Sequence, residues 1–162
     1  MPESSHHTST QTPDRPPTRS AEHRYLEGFV GRWKLDGRNG EGAPLAAGAR
    51  VTGEESYDWL PGEFFLVTRW ARYMGDADHR GIGIIGRDET TAEFTAHSFD
   101  NLGYSRTYQA DVQRGTITLS GKWERATMSV SDDGRTTTTH WEITTDGSTW
   151  LPLCDLKGTR LE

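Results

Sequence analysis

Residues 29–38 alternate in character. The odd positions hold Phe29, Gly31, Trp33 and Leu35, and the even positions after Val30 hold Arg32, Lys34, Asp36 and Arg38. Side chains point to opposite faces along a strand, so the stretch has one dry face and one wet face. Similar alternation returns roughly every ten residues, and it predicts strands over 29–38, 49–59, 63–74, 80–87, 92–99, 104–113, 115–123, 126–131, 135–145 and 149–158. The separators carry turn chemistry: Pro61-Gly62, Asn101-Leu102-Gly103, Arg114-Gly115, Asp132-Asp133-Gly134 and Asp146-Gly147. Links this short join neighbours antiparallel. The expected fold is therefore all-β, an antiparallel up-and-down barrel of about eight to ten strands, closed so that no edge strand is left exposed.

Helical periodicity is confined to one place. Ser20 can cap a short helix through Ala21, Glu22, His23, Arg24, Tyr25 and Leu26 that stops at Gly28. Tyr25, Leu26 and Phe29 would then plug the open end of the barrel, with Trp33 standing at its floor. Residues 1–19 are rich in Ser, Thr, Pro and His and read as a disordered tail, leaving 20–162 as the barrel domain. The His6-His7 pair in that tail reads as incidental rather than metal-binding.

Charge narrows the partners. The chain carries a net charge of −6 and no run of Lys or Arg, which argues against nucleic acid and against an anionic membrane surface. Its one cysteine, Cys154, excludes an intrachain disulfide and fits a reducing compartment. No apolar run approaches the ~20 residues of a membrane span, and the N-terminal stretch lacks a signal-peptide core. A cytoplasmic monomer or homodimer is the expectation.

The alternation also selects polar residues for the interior. In 49–59, Val51, Gly53, Glu55, Tyr57 and Trp59 form the drier face, so Glu55 goes inward. In 104–113, Tyr104, Arg106, Tyr108, Ala110 and Val112 share a face, placing Arg106 between two tyrosines. An inward arginine needs an anion because it cannot shed its charge. That anion is either Glu55, in a structural ion pair, or an acidic group on a ligand. Strand 63–74 does not choose: Phe64, Leu66, Thr68 and Trp70 oppose Phe65, Val67 and Tyr73. Ile82, Ile84, Ile117, Leu119, Trp123, Met128 and Val130 look buried, and Thr137, Thr139, Trp141 and Ile143 form a dry face that leaves His140 and Glu142 outside. The candidate ligand-binding set is Arg106, Tyr108, Tyr104, Tyr57, Trp59, Trp70, Trp123 and Trp141. An interior so lined suits a small hydrophobic or aromatic molecule.

A Gly-x-Trp on the first strand (Gly31, Trp33), a meander of about ten strands and Arg160 past the last one resemble the lipocalin–calycin barrels. Within that superfamily the chain is most similar to a group of small, uncharacterised lipocalin-like proteins of bacteria. The resemblance covers residues 26–161 and implies that Arg160 lies across the Trp33 indole to close the barrel floor. Arg106-x-Tyr108 also resembles the inward Arg-x-Tyr pair with which intracellular fatty-acid-binding barrels hold a carboxylate, although here the pair is mid-chain.

For catalysis the candidates are Glu55, desolvated and facing Arg106, and His97, which shares a face with Thr95 and Phe99. No nucleophilic triad can be assembled around Cys154. His79, in Asp76-Ala77-Asp78-His79, reads as part of a polar hairpin tip rather than a metal site. A haem barrel of the nitrobindin sort would need an inward His near the last strands, and His140 reads as wet. Neither metal nor cofactor is expected. Three functions remain: binding of a hydrophobic ligand with an acidic group, a barrel-type cyclase or isomerase acting on a hydrophobic intermediate, or a structural module with a filled core. A cavity below ~300 Å³ would favour the last.

Overall fold

The computed structural model describes residues 15–162. It contains ten strands: β1 (Gly31–Asn39), β2 (Arg50–Trp59), β3 (Phe65–Met74), β4 (Ala77–Arg87), β5 (Phe94–Asp100), β6 (Ser105–Gln113), β7 (Thr116–Ser120), β8 (Glu124–Val130), β9 (Thr136–Ile143) and β10 (Leu151–Arg160). Each pairs antiparallel with its sequence neighbours, and β1 pairs with β10 to close the barrel. The all-β up-and-down expectation holds. Two boundaries that matter below moved: β4 begins before His79, and β7 ends at Ser120. The His6-His7 pair and most of the expected tail lie outside the described residues. Arg19, placed in that tail by the sequence, is instead docked, pairing with Glu27 and Glu63 at 3.2 Å each.

One short helix, α1 (Ala21–Tyr25), precedes the barrel and runs into a 3-10 turn over Leu26–Phe29. Ser20 donates its backbone N–H to His23 Nδ1 at 2.9 Å, so the histidine serves as the reciprocal partner at the helix start. Leu26 and Phe29 are fully buried. They plug the barrel at the end where Trp33 stands, since the Trp33 indole N–H donates to the Phe29 carbonyl at 2.9 Å. The opposite end is therefore the open one.

Trp33 and Arg160 are register partners across β1 and β10. The Arg160 guanidinium carbon sits 4.2 Å from the Trp33 ring centroid. It donates to the carbonyls of Gly134 (2.7 Å), Val30 (2.7 Å) and Gly28 (3.1 Å). Every arm of the fork is thus satisfied, and the cation is tied to both chain ends of the barrel. Gly31 explains itself here: its φ is +131°, and a Cβ would collide with the Arg160 guanidinium.

Elsewhere the alternation orders the interior as expected. Val51, Glu55 and Tyr57 of β2 are buried, as are Tyr108 and Val112 of β6, Ile117 and Leu119 of β7, and Thr137 and Thr139 of β9. Ile82 and Ile84 depart from expectation. They are only half-buried, because β4 turns His79, Gly83 and Ile85 toward the lumen, opposite Arg72, Thr68 and Leu66 of β3.

Candidate functional site

Above the floor, the open half of the barrel holds a cavity of about 190 Å³. Its wall runs from Glu55 and Tyr57 on β2 through Trp70 and Arg72 on β3 and His79 on β4, then to Asp100, Arg106, Tyr108 and Glu124, with Trp141 and Cys154 completing the ring. Ala43, Pro44 and Leu45 of the β1–β2 loop cover part of the mouth. Leu45, Leu102 and Tyr104 line this rim and remain more than 40% exposed.

The volume is below the ~300 Å³ of a drug-sized pocket, which taken alone favours the structural module with a filled core. At roughly 10–15 Å³ of such space per water, it still leaves room for on the order of a dozen waters. Aromatics account for the shortfall. The Trp70 indole lies flat on the neighbouring strand, where a Cβ on Gly81 would overlap its six-membered ring. It occupies the lumen rather than framing it.

The sequence-expected residues separate into two groups. Glu55, Tyr57, Trp70, Tyr104, Arg106, Tyr108 and Trp141 all line the cavity. Trp59 and Trp123 need correction, while His97 contributes to the lining but turns its side chain outward, the orientation its strand position favoured. Trp59, at the end of β2, lies outside the cavity lining and donates its indole N–H to Glu27 at 3.0 Å, beneath the Arg19 guanidinium. It belongs to the plugged end. Trp123 is exposed because β7 ends at Ser120 and the chain leaves the sheet through a turn in which Gly121 N–H donates to Glu124 C=O. The alternation stops there, and Trp123 lies beside a side pocket where β6–β7 pairing starts only at Gln109↔Ser120. His97 is exposed, with Nδ1 3.4 Å from the hydroxyl of its outward partner Thr107. His140 also faces outward, as its alternation indicated, and bonds Asp155.

Arg106 points into the lumen side of β6, but its partner is not Glu55. Its Nε lies 3.7 Å from Glu124 Oε1, too far for a hydrogen bond, and its guanidinium carbon stands 4.4 Å from the Tyr104 ring centroid. Glu124 accepts instead from the Tyr108 hydroxyl at 2.8 Å. Glu55 pairs with Arg72 at 3.3 Å and accepts from Tyr57 at 3.4 Å. Three strands separate β2 from β6, whereas Arg72 is on the adjacent β3. Burial raises the Glu55 carboxyl above its ordinary value, against the opposing pull of Arg72. Burial likewise raises the Tyr57 and Tyr108 hydroxyls, each reinforced by its neighbouring carboxylate. The Cys154 thiol is pushed up to about 11, chiefly by burial, so it is no thiolate nucleophile.

Arg72, His79, Asp100 and Glu124 were missed by the sequence reading. Arg72 shares the even face of Leu66, Thr68 and Trp70, but the apolar Phe65 and Val67 opposite left the sequence unable to choose that face. His79 followed from starting β4 three residues earlier. Asp100 and Glu124 sit at strand ends, where alternation carries no weight.

Polar satisfaction differs sharply around this wall. Trp70 Nε1, Arg72 Nε and Arg106 Nε are buried N–H donors with no hydrogen-bond partner among the described residues. Buried donors are rarely left so. Among the described residues, no group of three or more His, Cys, Asp and Glu side chains gathers as a metal site. No helix among them is long and apolar enough to cross a membrane.

Solved structures share the architecture. The crystal structure of Rv2717c from M. tuberculosis superposes with a TM-score of 0.64 at 13% identity, covering 90% of this chain and all of that one. The S-type phycobiliprotein lyase CPES from Guillardia theta gives a TM-score of 0.51 at 13% identity, covering 91% of this chain and 99% of that one. At such identities the likeness is one of fold. A segment is also 36% identical over 77 residues to magnesium/proton exchanger 1 of Oryza sativa subsp. japonica, a match spanning 44% of this chain and only 14% of that protein. A family model described as a protein of unknown function, DUF1579, matches residues 18–152, and the chain belongs to that family.

Proposed function

We propose that this lipocalin-like barrel binds a small aromatic or hydrophobic molecule through an acidic group, held in the open half of the lumen. The observation that carries the reading is the set of three buried N–H donors without acceptors on Trp70, Arg72 and Arg106. Each costs roughly 1–3 kcal/mol when unpaired, and unlike His23 Nε2, which is buried without a partner in the plugged end, these three belong to residues lining one cavity. A carboxylate or enolate oxygen supplies what they lack, and Tyr108, Tyr104 and Trp141 give the flat apolar surface beside it. The cavity volume limits the buried part to about one ring, with any longer tail passing the Leu45–Leu102–Tyr104 rim. Two solved barrels of this fold are each 13% identical to this chain, and one is named a phycobiliprotein lyase; the likeness supports the fold and no particular ligand.

Titrating benzoate, phenylacetate and indole-3-acetate while following tryptophan fluorescence tests the reading. Saturable quenching is expected, weakened at least ~10-fold in Arg106→Ala and for the neutral amide analogues, the loss typical of one charge-assisted contact. Flat titrations, or equal affinity for acid and amide, reject it.

A further inference from the structure

His79 of β4 and Asp100 of β5 form a pair that the binding reading does not use. His79 Nε2 lies 3.0 Å from Asp100 Oδ2, and both side chains are mostly buried at the cavity wall. Asp100 cannot swing away, because its Oδ1 accepts the backbone N–H groups of Leu102 and Tyr104, each at 3.0 Å. A carboxylate can only accept, so in the neutral ring Nε2 carries the proton and Nδ1 the lone pair. Nδ1 makes no hydrogen bond among the described residues. A histidine whose tautomer is fixed by a clamped aspartate, with its other nitrogen unengaged at a cavity, is the arrangement of an oriented general base.

The surroundings match that task. Arg72 is the register partner of His79 on the same inward face, which places their Cβ atoms about 5 Å apart. The Trp70 ring centroid is 5.7 Å from the imidazole. Thus two of the three donors lacking acceptors lie on residues next to the base. Glu55, with its raised carboxyl, stands behind Arg72.

We infer that the cavity catalyses proton transfer at carbon on a small enolisable oxo acid, with His79 as base and Asp100 positioning it. Nδ1 removes a proton from the carbon next to the carbonyl. The C–H electron pair becomes the enolate double bond, and the carbonyl pair moves onto oxygen, where the Arg72 and Trp70 N–H groups receive it. The imidazolium then returns that proton, or one it has exchanged with solvent, to the same carbon or to the enolate oxygen. No electron acceptor or second reactant is consumed. The inference rests on the binding reading above, since the acid must first occupy the lumen.

Pyruvate, 2-oxobutyrate and phenylpyruvate serve as probes with the full chain in D2O. Loss of the C3 proton signal is followed by NMR, and binding of the same acids is followed in parallel by tryptophan fluorescence. Protein-dependent exchange is expected with at least one acid. It falls about 100-fold in His79→Gln and about 10-fold in Asp100→Asn, the latter with an unchanged fluorescence midpoint. His140→Gln, on the outer face and outside the cavity lining, leaves both readouts as they were. Binding without exchange overturns proton transfer and spares the binding reading. Exchange that survives in a folded His79→Gln removes His79 as the base; if that variant does not fold, Asp100→Asn decides. If none of these oxo acids binds, the proton-transfer inference falls, and the binding reading stands or falls on benzoate, phenylacetate and indole-3-acetate.

Discussion

The two ends of this barrel use the same residue types to opposite effect. At the floor, an arginine lies on a tryptophan, and every guanidinium arm finds a backbone carbonyl. In the open half, Arg72 lies 5.5 Å from the Trp70 ring centroid and Arg106 lies on Tyr104, yet both keep an Nε without an acceptor, as does the Trp70 indole. The floor is complete by itself. The open half is held by ion pairs and leaves donors over. An arginine stacked on an aromatic ring is therefore not a functional signal; the unmet donor beside it is.

The largest expected effect is at the floor. Trp33→Ala removes a fully buried indole and the platform under Arg160, and should cost up to about 5 kcal/mol in urea unfolding. A loss under about 1 kcal/mol would mean that the floor is not the keystone. In the open half, Arg72→Met leaves Glu55 buried without its cation and should cost about 3 kcal/mol at neutral pH. The double variant Arg72→Met/Glu55→Leu should regain most of that, because no charge is left stranded. If single and double variants are equally unstable, the pair is contributing packing rather than charge balance.

A pH series sharpens the contrast. The Glu55 carboxyl is raised in the folded state above its ordinary 4.5, so the folded protein binds the extra proton. Its stabilising contribution is present below that ordinary value and is lost as pH rises through the raised one. Glu55→Gln, neutral throughout, should flatten the decline of the urea midpoint over that window; an unchanged slope would refute the assignment. Smallest of all, Arg32→Ala breaks only a surface pair with Glu54 and should leave the midpoint nearly where it was. A clear drop there would show that the outer face contributes more than its exposure suggests.

Alternation was enough to read the ten strands, because a strand with one wet face writes a two-residue period into the sequence. It also gave the inward Glu55, Arg106 and Tyr108, and Arg160 over Trp33 followed from the resemblance. It failed where the period itself fails. Trp123 follows a strand that has ended, and β3 is apolar on both faces near its start, so Arg72 carried no mark of direction. Which anion meets which cation was beyond it. By sequence Glu55 was one of two candidate anions for Arg106, and only the strand order around the closed barrel puts Arg72 next to Glu55 and leaves Arg106 to Glu124.

The chain's own pattern determined that it would curl into a closed antiparallel barrel, since burying one face of each strand and leaving no free edge requires that closure. Tertiary structure decided the rest: that the cavity is small, that indoles fill part of it, and that His79 and Asp100 meet at its wall. Those outcomes depend on distances between residues about twenty apart in the chain and on room left by glycines on a neighbouring strand. Local sequence period encodes the direction of a side chain but not what stands across from it.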